Sequence, residues 1–162
     1  MSRIIIGNDH GGYKLKQEIV EYLEQKGRQV ANVGSDHEGI VRYPYYAARV
    51  AAAVSAGEYD CGLLICSTGI GMSIIANKYK GVRAALVTDS YMARMTRLHN
   101  DSNILCLGGR ILGIDVALDI VETWLTAEHM GGRHDISLGL IKEAESFMLG
   151  DRRWVKGEDE EK

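Results

Sequence analysis

Short apolar runs alternate along the chain with longer segments in which apolar residues recur every three or four positions. The apolar runs are rich in leucine or β-branched side chains and predict strands. They lie at 3–7, 28–34, 61–67, 82–88 and 103–109. The amphipathic segments predict helices. They lie at 14–26, 45–57, 71–79, 89–98, 113–127 and 136–149.

Apolar strands that alternate with amphipathic helices favour a parallel sheet covered by helices on both faces. We therefore predict an α/β fold, a three-layer α/β/α doubly wound sandwich of about five parallel strands of the Rossmann or flavodoxin-like kind. Such sheets bind ligands beyond the carboxyl ends of their strands, which would bring four segments to one rim. They are GNDHGG (7–12), CSTGIG (66–71), TDSYMARMTRLHND (88–101) and GGR (108–110).

The composition narrows the class of protein. The chain has 162 residues, 46% of them hydrophobic and 25% charged, which is typical of one domain with its own core. We place that domain at 1–150 and a charged tail at 151–162. A net charge of -3 disfavours a general nucleic-acid or membrane surface. Three cysteines without CxxC spacing, no apolar stretch of membrane-spanning length and no signal-peptide pattern predict a cytoplasmic protein.

Several familiar phosphate, thiol and metal signatures are missing from the sequence. There is no P-loop, and GIGMSI has Ile74 where a dinucleotide fingerprint needs its third glycine. A thiol phosphatase loop carries arginine six positions after its cysteine, and Met72 stands there, which argues against phosphocysteine chemistry. No HExxH or comparable His/Asp cluster marks a metal site, so we expect neither a metal nor another cofactor.

Cys66 ends the third apolar run, directly before a glycine-rich loop. Buried cysteine is common in apolar strands, and we interpret Cys61 and Cys106 as core residues. For Cys66, core packing and function stay open. Function is favoured by its position, because a helix N-terminus would stabilise a thiolate and the loop amides would hold a phosphate or an oxyanion. Ser67 and Thr68 in this loop could equally be helix N-caps.

Further polar and basic side chains follow the other apolar runs. The Asp9–His10 pair lies in the loop after the first strand, which favours a functional role. His99, taken alone, is typical of a helix C-terminus, where a basic group favours the helix dipole. Arg110 follows the fifth strand. Arg133 stands just before a predicted helix, which indicates an anionic partner as an alternative to an ordinary surface position. Together these groups suit a small anionic substrate and proton transfer.

Five segments, in their order and spacing, resemble the ribose-5-phosphate isomerase B family, which includes galactose-6-phosphate isomerase subunits. They are GNDHGG, RYPYYA (similar to DYPxYA), LLICSTGIGMSIIANK, RLHNDSNILCLGGR and GGRH. The resemblance extends over residues 3 to about 148. It implies a metal-independent aldose–ketose isomerase that interconverts ribose 5-phosphate and ribulose 5-phosphate through a cis-enediolate. It also implies a homodimer, a tetramer in some members, with each site built from two chains.

The same resemblance implies roles for individual residues. Cys66 corresponds to the base that moves a proton between C1 and C2, Thr68 relays a proton, and His99 of the neighbouring chain opens the sugar ring. The other matching positions bind the substrate. They are Asp9 and Asn100 for its oxygens, the amides of Ser67, Gly69, Ile70 and Gly71 for the enediolate, and His10, Arg110 and Arg133 for the phosphate.

One position departs from the family pattern. Four residues beyond Arg133, where the pattern has a second arginine, the chain has Ser137, and Asp135 adds a carboxylate nearby. Losing a charged hydrogen bond to a phosphate costs about 1.5–3 kcal/mol, or roughly tenfold to a hundredfold in affinity. Another Lys or Arg could compensate. Otherwise the substrate could be a tetrose 4-phosphate, a hexose 6-phosphate such as allose or galactose 6-phosphate, or an unphosphorylated sugar. A non-catalytic anion-binding module is a more distant alternative.

Overall fold

Strands and helices alternate along the chain in the computed structural model, which describes residues 2–148. The strands in this range are β1 (Ile4–Asn8), β2 (Val30–Asn32), β3 (Cys61–Cys66), β4 (Ala84–Leu86) and β5 (Ile104–Gly108). The helices are α1 (Tyr13–Gln25), α2 (Tyr43–Ser55), α3 (Ile70–Ala76), α4 (Ser90–Asn100), α5 (Ile114–Thr126) and α6 (Arg133–Met148). Between residues 2 and 148, no helix is long and apolar enough to cross a membrane.

The described strands form one parallel sheet in the order β2-β1-β3-β5-β4. Successive side chains of a strand face opposite sides of the sheet. Leu63 and Ile65 of β3 therefore pack in a core with α1, α4 and α5. Leu64 and Cys66 pack in a second core with α2 and α3. The predicted three-layer α/β/α sandwich is confirmed.

The chain reverses its direction of travel across the sheet at the two edge strands, β2 and β4. From β1 it moves outward to β2, and from β3 it moves to the opposite edge, to β4. The connections α1 and α4, which run one way along the sheet, lie on one face, and α2 and α3, which run the other way, lie on the second. Connections between parallel strands are right-handed, so connections that run in opposite directions must lie on opposite faces of the sheet. Ligand sites in doubly wound sheets lie beyond the carboxyl ends of two neighbouring strands whose connections leave in opposite directions, and β1 and β3 are such a pair.

Two elements differ from the sequence prediction. The apolar run at 82–88 predicts a buried strand, but β4 has three half-buried residues. The reason is that, among the described strands, β4 pairs only with β5 and forms an edge of the sheet. Helix α2 begins at Tyr43, before the predicted start at 45, and includes Pro44 in its first turn. A proline is tolerated there because the first amides of a helix have no intrahelical acceptor.

Residues 130–148 form a second compact unit, separate from the unit of residues 2–129. Helix α6 begins at Arg133, three residues before the predicted start, so Arg133 is the first helical residue. Asp135 lies in the first turn, where a carboxylate interacts favourably with the helix dipole. Ser137 is exposed and lies one turn after Arg133 on the same helix face. The single domain at 1–150 stays a prediction, and the tail at 151–162 lies outside the described residues.

Candidate active site

Three loops meet where β1, β3 and β5 end. The amide of Gly109 donates a hydrogen bond to the carbonyl of Cys66 at 2.7 Å, and the amide of Arg110 donates to the carbonyl of Ser67 at 3.1 Å. Gly11 lies so close to the Ser67 hydroxyl that a Cβ atom at position 11 would overlap it. Glycine at position 11 therefore lets the loops after β1 and β3 come into contact. These loops share one rim of the sheet, as predicted.

Cys66 is held in this junction by a hydrogen bond to its sulfur. The amide of Gly69 donates to Cys66 Sγ at an N···S distance of 3.1 Å, and Cys66 is 5% exposed. Gly69 has a left-handed backbone (φ 78°) and is the N-cap of α3. Helix α3 has only seven residues. The directed N–H bond therefore places a hydrogen-bond donor on Cys66 Sγ, the arrangement that stabilises negative charge on an acceptor atom.

The other two cysteines are core residues, as predicted. Cys61 packs in the core with α1 and α5, and burial raises its pKa to about 11. Cys106 packs in the core with α2 and α3, and burial raises the pKa of its thiol even further. Both groups stay protonated at neutral pH, because that pH lies far below their pKa values. Neither can serve as a base in that form.

The N-cap of α3 lies in the loop between Cys66 and this helix. Gly69, and neither Ser67 nor Thr68, occupies the N-cap position of α3. Thr68 is exposed, and its Oγ1 accepts a hydrogen bond from the amide of Ile70 at 3.3 Å. A hydroxyl that accepts in this way keeps its own hydrogen to donate to a ligand. The first amides of α3, such as that of Gly71, have no intrahelical acceptor.

Asp9 and His10 follow β1 at the same rim. Asp9 is buried, and its Oδ1 accepts hydrogen bonds from the amides of Gly11 and Gly12 at 2.8 and 3.2 Å, which fixes the turn. His10 Nδ1 accepts a hydrogen bond from the amide of Val41 at 3.3 Å. This bond requires the tautomer that carries its hydrogen on Nε2, so Nε2 can donate to a ligand. Both side chains line a pocket of about 510 Å³.

Tyr43 is a site residue that the sequence does not single out. Its ring covers Gly71, where a Cβ atom would lie 2.8 Å from two ring carbons. The pocket that Asp9 and His10 line is also lined by the segment 40–45, which includes Tyr43. The motif RYPYYA contains three tyrosines, and nothing in their spacing distinguishes the one that reaches the glycine loop. The signal that identifies Tyr43 is its contact in three dimensions.

His99 and Asn100 lie at the opposite end of the sheet from Cys66. They form the last turn of α4, an 11-residue helix that is about 16 Å long and returns the chain to the amino ends of the strands. Arg83, just before β4, donates to the carbonyl of Asn100 at 3.0 Å and to that of Asp101 at 2.7 Å. The expectation that this segment shares the rim of Cys66 is therefore wrong within a single chain.

Two arginines complete the predicted set. Arg110 follows β5 at the rim, and its side chain is exposed. Arg133 is the first residue of α6 and belongs to the second unit. Among residues 2–148, no three His, Cys, Asp or Glu side chains are grouped as metal ligands. The structure thus brings together Asp9, His10, Cys66, Arg110 and the glycine loop in the first unit.

The sequence matches known proteins over most of its length. Residues 4–141 match the Ribose/Galactose Isomerase family. The chain is 46% identical over 134 residues to ribose-5-phosphate isomerase B of Escherichia coli (strain K12). The aligned region covers 83% of this chain and 90% of that protein. It is 41% identical over 133 residues to D-erythrulose-4-phosphate isomerase of Pectobacterium atrosepticum. That aligned region covers 82% of this chain and 88% of that protein.

Solved structures show the same fold at high sequence identity. Ribose-5-phosphate isomerase B of Clostridium thermocellum has a TM-score of 0.87 and 54% identity, over 89% of this chain and 97% of that chain. A ribose 5-phosphate isomerase of Thermotoga maritima has a TM-score of 0.85 and 44% identity, over 88% of this chain and 98% of that chain. The chain therefore belongs to the ribose/galactose isomerase family, and it is an isomerase.

Proposed function

We propose that this isomerase interconverts ribose 5-phosphate and ribulose 5-phosphate through a cis-enediolate, with Cys66 as the base. The observation that carries the proposal is the Gly69 N–H···Sγ bond of 3.1 Å, at the crevice between the loops after β1 and β3. A stabilised thiolate beside open amides suits removal of a proton next to a carbonyl group. The names of the Escherichia coli and Clostridium thermocellum relatives support ribose 5-phosphate as the substrate.

The proposed reaction starts from the open-chain aldose. The Cys66 thiolate takes the proton from C2, the C–H electron pair forms the C1=C2 double bond, and the carbonyl electrons move to O1. Loop amides from Ser67 to Gly71 stabilise the resulting negative charge. The Thr68 hydroxyl relays the proton of O2 to O1, and Cys66 returns its proton to C1. The ketose forms with no net gain or loss of protons or electrons.

The substrate-binding roles in the proposal follow the matching positions. Asp9 and Asn100 contact the substrate's oxygens, and His10, Arg110 and Arg133 bind the phosphate. The free Nε2–H of His10 supports its role, because a phosphate oxygen is a strong acceptor. The role of Arg133 rests on the family resemblance alone. A cytoplasmic location and pairing of dimers to a tetramer also stay predictions.

We further propose that the chain forms a homodimer in which His99 and Asn100 act in the partner's site. The placement of both residues supports this, since α4 separates them from Cys66 of their own chain. Large apolar side chains that are exposed on α3 and α4 also support it. Ile70 and Ile74 of α3 are 51% and 55% exposed, and Tyr91 of α4 is 66% exposed. An apolar surface of this kind fits contact with a second copy.

Two inactive variants should restore activity when they share a dimer. Cys66→Ala and His99→Ala homodimers are each expected to lose turnover of ribose 5-phosphate. A heterodimer has one site with both substitutions and one with neither, so it should regain about half of the wild-type activity per dimer. Heterodimers can be isolated with two affinity tags after refolding of a mixture. A heterodimer as inactive as its parents would show that one chain supplies both groups.

Deuterium labelling tests the reaction and its substrate together. Ribose 5-phosphate, a tetrose 4-phosphate, hexose 6-phosphates and the free sugars are each incubated with the enzyme in deuterated water. We expect label at C2 of the aldose, fastest with ribose 5-phosphate, because the proton held by Cys66 exchanges with solvent. NMR spectroscopy measures the label. A folded enzyme that labels none of these sugars would contradict the proposal and favour a non-catalytic anion-binding module.

Two observations support testing other sugars as the substrate. Ser137 lacks the charge that the family pattern places there, and one relative is named D-erythrulose-4-phosphate isomerase. If another sugar is labelled faster than ribose 5-phosphate, the enzyme is an isomerase of that sugar. A Ser137→Arg variant in the same panel shows whether position 137 sets the choice. In that case its turnover of ribose 5-phosphate rises while turnover of the other sugar falls.

A further inference from the structure

The pocket beside β1 offers two groups that bind anions. It is lined by Asp9, His10 and the segment 40–45, which contains Arg42. The Oδ1 atom of Asp9 is already bonded to two amides of its own turn. His10 carries its hydrogen on Nε2, since Nδ1 accepts from the amide of Val41. The basic side chains that line the pocket are therefore His10 and Arg42, and both have donors open to a ligand.

The charge of Arg42 is not offset by a neighbour. In the part of the chain that the structure describes, its guanidinium has no hydrogen-bond or ion-pair partner. The carboxylates of the preceding loop lie beside other basic groups, Glu38 at 3.6 Å from Lys14 and Asp36 at 3.9 Å from His37. An exposed guanidinium without a carboxylate, at the wall of a pocket, suits a bidentate anion such as a phosphate.

We propose that Arg42 determines the specificity of this site by binding the phosphate of the sugar, with His10 Nε2 as a second donor. The inference rests on the proposed function, in which this pocket holds the phosphorylated end of the substrate. The chain has Arg42 where the DYPxYA pattern has aspartate, and it has Ser137 where the pattern has arginine. Arg42 thus supplies the guanidinium that position 137 lacks.

An Arg42→Gln variant tests the role of the charge. The substitution keeps a polar side chain but removes the guanidinium. We expect the KM for ribose 5-phosphate to rise about tenfold to a hundredfold, with a smaller fall in kcat, and inhibition by inorganic phosphate to weaken by the same factor. Arg42→Lys keeps the charge but loses the planar pair of donors, so its KM should be intermediate.

Arg49→Gln is the matched control. Arg49 lies seven residues further along the same region, in α2, with its guanidinium 5.3 Å from the ring centre of Tyr46 and outside the pocket lining. It makes the same change in net charge and should leave KM and phosphate inhibition unchanged. The inference is overturned if Arg42→Gln matches Arg49→Gln in both measurements.

Calorimetric titration with inorganic phosphate separates this inference from the proposed function. If the wild type isomerises no sugar phosphate, yet binds phosphate at least tenfold more tightly than Arg42→Gln does, the proposed function fails and the role of Arg42 stands. If the wild type isomerises ribose 5-phosphate and both proteins bind phosphate equally, the role of Arg42 fails and the proposed function stands.

Discussion

Replacing Cys66 with alanine is expected to remove isomerisation of ribose 5-phosphate while the chain stays folded. Alanine has no group that can take the C2 proton, and a general base contributes about 10²- to 10⁴-fold to a rate, so kcat should fall by at least that range. Losing one buried sulfur atom should lower the free energy of unfolding by only about 1 kcal/mol. Steady-state kinetics and thermal unfolding measure the two effects separately.

Cys61→Ala is the control for this prediction, because Cys61 begins the strand that Cys66 ends and is equally buried. It should lose similar stability and keep its kcat. Iodoacetamide at pH 8 gives a second readout. Burial raises the pKa of Cys61 to about 11, so its thiol stays protonated at that pH, and inactivation should follow labelling of Cys66. Normal turnover by Cys66→Ala would remove the thiol from the mechanism.

Replacing Gly69 with alanine is expected to damage both the fold and the site. The backbone of Gly69 is left-handed, and a Cβ atom would lie 2.5 Å from Leu86 Cδ1 and 3.0 Å from the carbonyl carbon of Leu107. Backbone strain of about 1–2 kcal/mol and overpacking of about 1–3 kcal/mol should together lower the free energy of unfolding by roughly 2–5 kcal/mol. The shifted amide would also lose its bond to Cys66 Sγ, which should cost about 10²-fold or more in kcat.

Gly57→Ala distinguishes crowding from backbone strain. Gly57 has a similar φ of 74°, but among the described residues no atom lies within 4 Å of where its Cβ would be. It follows α2 and precedes β3, where its carbonyl accepts a hydrogen bond from the Arg3 guanidinium at 3.0 Å, whereas the glycine loop follows the other end of that strand. We expect a loss of about 1 kcal/mol in urea unfolding and an unchanged kcat. If Gly69→Ala behaved like Gly57→Ala in both assays, neither the close contacts nor the Gly69 amide would matter for activity.

The layered fold follows from the sequence because each central strand must be apolar on both faces. The run at 61–67 predicts β3 within one residue, and the structure buries all six residues of Cys61–Cys66. The edge position of β4 does not follow, because an apolar run such as Ala84–Leu86 has the same composition beside one strand or two. Which strand pairs with which is decided by contacts between distant segments, and the insertion of β5 between β3 and β4 is one of them.

The site follows from the sequence only where a strand end fixes the position of a residue. Cys66 ends a strand and Asp9 and His10 directly follow one, so the parallel sheet brings them to one rim. His99 comes after a helix, and its place depends on the direction and length of α4, which the order of residues does not show. Tyr43 depends on the packing of α2 against the glycine loop, a contact between segments about 28 residues apart.

The length of α4 has a consequence for how this enzyme evolves. The helix separates His99 from the level of Cys66 by about 16 Å, and in the proposed homodimer only a second chain closes that gap. A substitution that weakens association then lowers turnover as directly as a substitution of a reacting side chain. Natural selection on catalysis would preserve the contact surface between chains, even at positions that touch no substrate and add nothing to the stability of one chain.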